Sequence, residues 1–89
     1  IMDIDNLIKN IKIKLLKNTF IKSVIIEDKT FLHRKHSTHD KNKFHLKMII
    51  YSNELKEMSK LEATKKINKN LKNEINSYIH SIQIFFEHL

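Results

Sequence analysis

The chain has 89 residues, of which 40% are hydrophobic and 30% charged, a balance typical of a single globular domain, here residues 1–89. It contains no Gly, Pro or Cys, which excludes glycine-rich phosphate loops, GXXG nucleic-acid clamps, disulfides and a thiol nucleophile. The net charge of +7 is compatible with nucleic-acid binding, but Arg34 is the only arginine among 17 cationic residues, and nucleic-acid binders often use arginine. No apolar run is long enough to span a membrane.

A helix is predicted over residues 3–18, where Asp3 or Asp5 can cap the first turn. Its apolar residues recur at the spacing of one helix face: Ile4, Leu7, Ile8, Ile11 and Leu15. This periodicity predicts an amphipathic helix that packs on another element.

Two strands are predicted next, at residues 24–33 and 44–51, because both stretches are rich in β-branched and aromatic residues. The polar residues 34–43 lie between them as a long loop. One face of the second strand carries Leu46, Met48 and Ile50. The pattern predicts an antiparallel hairpin.

A second long helix is predicted to begin at Ser59, because Ser59 and Glu62 match a capping box. Its apolar stripe comprises Leu61, Thr64, Ile67, Leu71 and Ile75. Lys65, Lys69 and Lys72 lie on the opposite side. Such a basic face is usually a solvated surface, and the alternative is a surface that binds nucleic acid.

The final strand is predicted at residues 79–86, where side chains alternate between two sides. The alternation places His80 on the side of three apolar residues, Ile82, Ile84 and Phe86. Two interpretations of His80 follow: a core or sheet-edge histidine bonded to backbone, or a metal ligand held on a rigid strand.

The predicted order of elements is helix, strand, strand, helix, strand. It defines an α+β fold in which helices cover one face of a three-stranded sheet. The helical connection makes the second and third strands parallel if they are adjacent, so the sheet is mixed. This topology is similar to that of type II KH domains.

Six histidines in so short a chain suggest a metal site. His33, His36 and His39 are spaced by three, and neither a helix nor a strand directs such a series at one ion. A zinc site made by one chain normally needs four well-placed ligands. His80 with one loop histidine is therefore a half-site that only a partner can complete, and solvated loop histidines remain the alternative.

Catalysis is not expected of this chain. Cysteine is absent, no serine sits at a glycine elbow, and the candidate carboxylates have the positions of surface and capping residues: Glu54, Glu57 and Glu62. The sequence therefore predicts a protein that is not an enzyme.

Three motifs carry a family resemblance: Phe44–Lys47 (FHLK), the Ser52 that closes the second strand, and Ile79–Ile82 (IHSI). They resemble the SHFK motif, the serine and the IHAL motif of the BolA family. The similarity covers residues 24–86, and its register holds without gaps from His36 to Phe86.

The sequence departs from the family pattern at three places, one of which is the F-x-G after the second strand, Leu55-Lys56-Glu57 here. The loop motif S-x-x-H is His33-x-x-His36 here, and the helical R-H-R is Ala63-Thr64-Lys65. The change in the helical motif weakens the DNA-binding role proposed for bacterial relatives, whereas His80 is retained.

The resemblance implies a non-enzymatic adaptor in iron–sulfur cluster assembly or trafficking and in iron homeostasis. Such proteins share a [2Fe–2S] cluster with a monothiol glutaredoxin, which supplies its cysteine and a bound glutathione thiolate. This chain then supplies His80 and a loop histidine, which is His36 by register, with His39 and His33 as alternates. His45 is interpreted as structural.

The resemblance leaves the cluster-recipient proteins open, as well as the choice between a cytoplasmic and a mitochondrial location. No cluster is expected in the isolated protein. The alternative function is a nucleic-acid-binding transcriptional regulator that uses Lys65, Lys69 and Lys72.

Overall fold

The computed structural model describes residues 2–33 and 43–89, and for Leu32 and His33 it describes the backbone alone. In chain order the elements are α1 (Ile4–Leu16), β1 (Ser23–Asp28), a 3₁₀ helix (Thr30–His33), β2 (Phe44–Tyr51), α2 (Asn53–Glu57), α3 (Lys60–Asn70), α4 (Lys72–Tyr78) and β3 (Ile79–Glu87). The predicted α+β fold is confirmed. No helix in the described part of the chain is both long and apolar enough to cross a bilayer.

Helix α1 is capped by Asp3, whose carboxylate accepts a hydrogen bond from the backbone N–H of Asn6 at 2.8 Å. The helix ends at Leu16, earlier than the predicted residue 18. Its end is set by Asn18, because the backbone and side-chain amides of Asn18 both donate to the Leu15 carbonyl at 3.0 Å. This turn returns the chain to the sheet.

The first strand is shorter than predicted and ends at Asp28. The Asp28 carboxylate accepts hydrogen bonds from the backbone N–H of Thr30, at 2.9 Å, and from the Thr30 hydroxyl. Local bonds of this kind compete with the strand ladder, so the backbone turns into the 3₁₀ helix instead of extending to residue 33. Of the predicted loop 34–43, residues 34–42 lie outside the described part of the chain.

Strand β2 is the centre of a mixed sheet with the order β1-β2-β3. It pairs with β1 antiparallel and with β3 parallel, as the hairpin and the helical crossover predicted. Leu46, Met48 and Ile50 are buried in the same core as the apolar residues of α1 and α3, which confirms the predicted core face. On the opposite face Ile25 remains 46% exposed, so the helices cover one side of the sheet.

The predicted second helix is divided between α3 and α4, which meet at Leu71. Ser59 caps α3 as predicted and accepts from the Glu62 N–H at 3.1 Å. The prediction that Leu61 belongs to the buried stripe is wrong, because Leu61 is 66% exposed. Ala63 occupies the core position instead, and Leu61 lies about 200° away around the helix axis.

Helix α2 was not predicted from the sequence. It begins after Ser52, which is completely buried and whose hydroxyl accepts from the Leu55 N–H at 3.2 Å. The Ser52 backbone N–H donates to the Glu87 carbonyl at 3.0 Å, so this cap is also attached to the end of β3.

Candidate functional site around His80

His80 lies at an irregularity in the pairing of β2 with β3. Phe44 is opposite Ile79 and His45 is opposite Ser81, which leaves His80 without a residue opposite it in β2, and we refer to this irregularity as a bulge. A bulge reverses the sides on which the following side chains lie. As a result Ile79 is buried whereas His80 is exposed, and the prediction that grouped His80 with the buried Ile84 is wrong.

The bulge explains why an apolar strand accommodates a histidine. An imidazole on the core face would need buried hydrogen-bond partners. At the bulged position the His80 ring reaches solvent while the rest of the strand keeps its apolar contacts, with Ile84 and Phe86 buried. His80 thus combines an exposed nitrogen donor with a backbone that is fixed in a sheet.

The neighbour of His80 across the strands is His45. The centroids of the two rings are 4.9 Å apart, and the ring planes are inclined at 56°. His45 is only 6% exposed, and its Nδ1 is 2.7 Å from the Ser81 hydroxyl oxygen. His45 is therefore a buried residue of the sheet, which agrees with the structural role predicted for it.

The hairpin loop leaves the sheet at the same end as His80. The Lys29 N–H donates to the His45 carbonyl at 2.7 Å, and the His45 N–H donates to the Thr30 hydroxyl at 3.1 Å. The 3₁₀ helix that follows leads to His33. The base of the loop and the start of β3 are thus both attached to His45.

The loop histidines themselves cannot be placed from the described side chains. His36 and His39 lie outside the described residues, and for His33 only the backbone is described. Their assignment as second ligand stays a prediction.

A metal held by this chain alone is not supported by the described side chains, among which no group of three or more His, Asp or Glu residues could hold an ion. A single exposed imidazole can act as one ligand among others supplied from outside the chain, as histidine does at one iron of some iron–sulfur clusters. His80 is exposed and lies at the sheet end from which the loop departs.

The lysines of the alternative interpretation are at the surface. Lys65 and Lys69 are exposed on α3, and Lys72 is exposed at the start of α4. The opposite side of these helices contributes Ala63, Ile67 and Leu71 to the core. The predicted basic face is therefore present at the surface.

The bulge and the contact between His45 and His80 were not predicted from the sequence. A strict alternation of side chains cannot show a bulge, because the inserted residue depends on how two distant segments pair. One available signal was that Ile79 is apolar on the side opposite Ile84. Both residues can be buried in one core only if the alternation is interrupted between them.

Fold and site together define a small α+β protein that presents an imidazole at the bulged start of an edge strand. The chain belongs to the BolA-like protein family, whose sequence pattern matches residues 15–87. No curated protein is similar enough in sequence to count as a match.

Two solved structures show the same fold. BolA1 from Arabidopsis thaliana is 20% identical, with a TM-score of 0.72 over 90% of this chain and 88% of that chain. The BolA domain of SufE1 from Arabidopsis thaliana is 24% identical, with a TM-score of 0.73 over the same shares of the two chains.

Proposed function

We propose that this protein is a non-enzymatic adaptor in iron–sulfur cluster assembly or trafficking and iron homeostasis. Membership in the BolA-like family supports a role in iron–sulfur-related processes, and members of that family are generally not enzymes. The observation that carries the proposal is the exposed His80, fixed on β3 at the sheet end from which the loop departs.

The proposed cluster is a [2Fe–2S] cluster shared with a monothiol glutaredoxin. The partner contributes a cysteine and the thiolate of a bound glutathione. This chain contributes His80 and a loop histidine, which is His36, with His39 and His33 as alternates. The cluster is lost when the proteins separate, because neither protein alone supplies all the ligands.

In this proposal the histidines of this chain bind iron and change the reduction potential of the cluster. An imidazole replaces the negative charge of a thiolate by a neutral donor, which generally raises the reduction potential of the iron it binds. Binding also requires the neutral form of the ring, so retention of the cluster depends on pH.

The direct test is reconstitution of the cluster on the glutaredoxin complex under anaerobic conditions. Visible absorption and circular dichroism spectra are compared for the wild type, His80→Ala and His88→Ala. His88 is a matched control because it is an exposed histidine near the far end of β3, where its ring is bonded to Asn53.

We expect His80→Ala to lose or change the cluster spectrum and His88→Ala to retain it. An unchanged spectrum for His80→Ala would contradict the proposal. Single alanine variants of His33, His36 and His39 in the same assay identify the second ligand.

A nucleic-acid-binding regulator is the second candidate, and the exposed lysines of α3 and α4 support it. Binding through phosphates would weaken steeply with salt, and the slope would fall when Lys65, Lys69 and Lys72 are replaced by Gln. The absence of binding to duplex DNA at about 0.1 M salt would exclude this candidate.

A further inference from the structure

We infer that His45 is a positioning residue for His80. The buried ring of His45 packs beside the His80 imidazole. The contact with the Ser81 hydroxyl fixes the orientation of the His45 ring. With respect to the cluster this inference rests on the proposed function. The packing of the two rings is a property of the isolated protein.

The first support is the bulge, which deprives His80 of a regular cross-strand neighbour. In a regular ladder the residue directly opposite restricts the direction of each side chain. His80 has no such counterpart, since Phe44 is opposite Ile79 and His45 is opposite Ser81. The ring of His45, 4.9 Å away, supplies the missing lateral contact.

The second support is the way in which His45 itself is held. Its N–H donates to the Thr30 hydroxyl at 3.1 Å, its carbonyl accepts from the Lys29 N–H at 2.7 Å, and its Nδ1 is 2.7 Å from the Ser81 hydroxyl. Because His45 as a whole is only 6% exposed and its Nδ1 is close to the Ser81 hydroxyl, the ring has little freedom to rotate. A fixed ring can restrict its neighbour, whereas a mobile one cannot.

The third support is the connection from His45 to the loop base. Thr30, which accepts from the His45 N–H, is itself bonded to Asp28, the last residue of β1. His45 therefore lies between the segment that leads into the loop histidines and the residue that carries the other candidate ligand. A ligand side chain must be held within about half an ångström of the productive geometry, and the attachment of its neighbour His45 to the end of β1 serves that purpose.

The test uses Ser81→Ala, which removes the bond to Nδ1 without changing the strand backbone. Ser81→Thr retains the hydroxyl and serves as the rescue variant. Gln83→Ala is the matched control, because Gln83 is an exposed residue farther along β3, opposite Lys47.

The first measurement is made on the isolated protein without metal. Proton–carbon NMR spectra of the histidine rings report the surroundings of His80, and proton–nitrogen spectra report the fold. We expect Ser81→Ala to shift or broaden the His80 ring signals while the fold is retained, and Ser81→Thr and Gln83→Ala to resemble the wild type.

The second measurement is the rate of cluster loss from the glutaredoxin complex after addition of a chelator. Residues that orient a metal ligand typically change metal affinity by about 10- to 100-fold, and Ser81 acts one step further away, so we expect Ser81→Ala to accelerate loss by about three- to tenfold. Ser81→Thr restores the slow rate. A destabilised strand would also be expected to alter the proton–nitrogen spectrum, which separates positioning from a general structural effect.

The inference is overturned if Ser81→Ala leaves both the His80 ring signals and the rate of cluster loss at wild-type values. Failure of the proposed function is a different result, namely a wild-type cluster spectrum in His80→Ala. In that case the ring signals of the metal-free protein still decide whether His45 positions His80.

Discussion

Replacement of Ser52 by alanine tests the connection between the end of β2, the start of α2 and the end of β3. The Ser52 hydroxyl accepts from the Leu55 N–H at 3.2 Å, and both side chains are buried, at 0% and 1% exposure. The backbone bonds of Ser52, from its N–H to the Glu87 carbonyl and from the Lys56 N–H to its carbonyl, do not depend on the side chain. The substitution therefore removes the cap and little else.

The expected loss of stability is larger than for an ordinary cap. Replacing a serine N-cap by alanine typically costs about 1 kcal/mol, and leaving a buried donor without a partner costs about 1–3 kcal/mol. Since water cannot reach the Leu55 N–H in place of the hydroxyl, we expect a loss of about 2 kcal/mol. For a domain of this size that lowers the melting temperature by about 10 °C.

The matched control is Ser59→Ala, which removes the cap of α3. The bond from the Glu62 N–H to Ser59 is 3.1 Å long, but it is exposed, so water can replace the hydroxyl. We expect a loss of about 0.5–1 kcal/mol in that variant. Thermal and urea unfolding followed by circular dichroism measure both. Equal losses in the two variants, or a larger loss in Ser59→Ala, would refute the burial argument.

Four further outcomes are expected. Glu74→Gln removes the ion pair with Lys14, whose Nζ lies 2.8 and 2.9 Å from the two carboxylate oxygens, and lowers the free energy of unfolding by about 0.5–1 kcal/mol at low salt. Met48→Ala, at a residue with 0% exposure, lowers the free energy of unfolding by about 3 kcal/mol. Leu61→Ala, at a residue with 66% exposure, changes it by no more than about 0.5 kcal/mol, and urea unfolding measures both. Cluster retention on the glutaredoxin complex, followed by absorbance, falls as the pH is lowered, because a protonated imidazole cannot bind a metal. His80→Cys lowers the reduction potential of the cluster, measured by redox titration, because a thiolate adds negative charge.

Each of these outcomes has a clear contrary result. The effect of Glu74→Gln should shrink at high salt, and an effect that persists at about 1 M salt would not be electrostatic. Similar losses for Met48→Ala and Leu61→Ala would contradict the observed core. A cluster equally stable at high and low pH, or a potential unchanged in His80→Cys, would show that the ring of His80 is not a ligand.

The class of the fold and the order of its strands and longer helical segments could be predicted from local patterns. The 3.6-residue period of α1 and the alternation in β2 are each written in one continuous segment, and the burial of Leu7, Ile11 and Met48 follows from them. Capping was also predictable where a side chain bonds within its own turn, as at Asp3 and Ser59. These features need no knowledge of the remaining chain.

The site could be predicted only in part. His80 was recognisable as an unusual residue in an apolar segment, and its place in the BolA-like motif singled it out further. Its exposure, its bulge and its contact with His45 were not predictable, because they depend on residues 35 positions apart in the sequence meeting across two strands.

The sequence by itself determined the order of the three strands and the two long helical segments and the apolar faces of α1 and β2, because local periodicity fixes these properties. Chain connectivity also determined that the sheet is mixed once β2 and β3 are adjacent. Tertiary structure alone decided that Ala63 and not Leu61 enters the core, that the Ser52 cap is buried and attached to the end of β3, and that the pairing of β2 with β3 is irregular at His80. Each of these outcomes depends on how separate segments fit together in space, since a residue is buried, capped or displaced only relative to the neighbours that the folded chain brings to it.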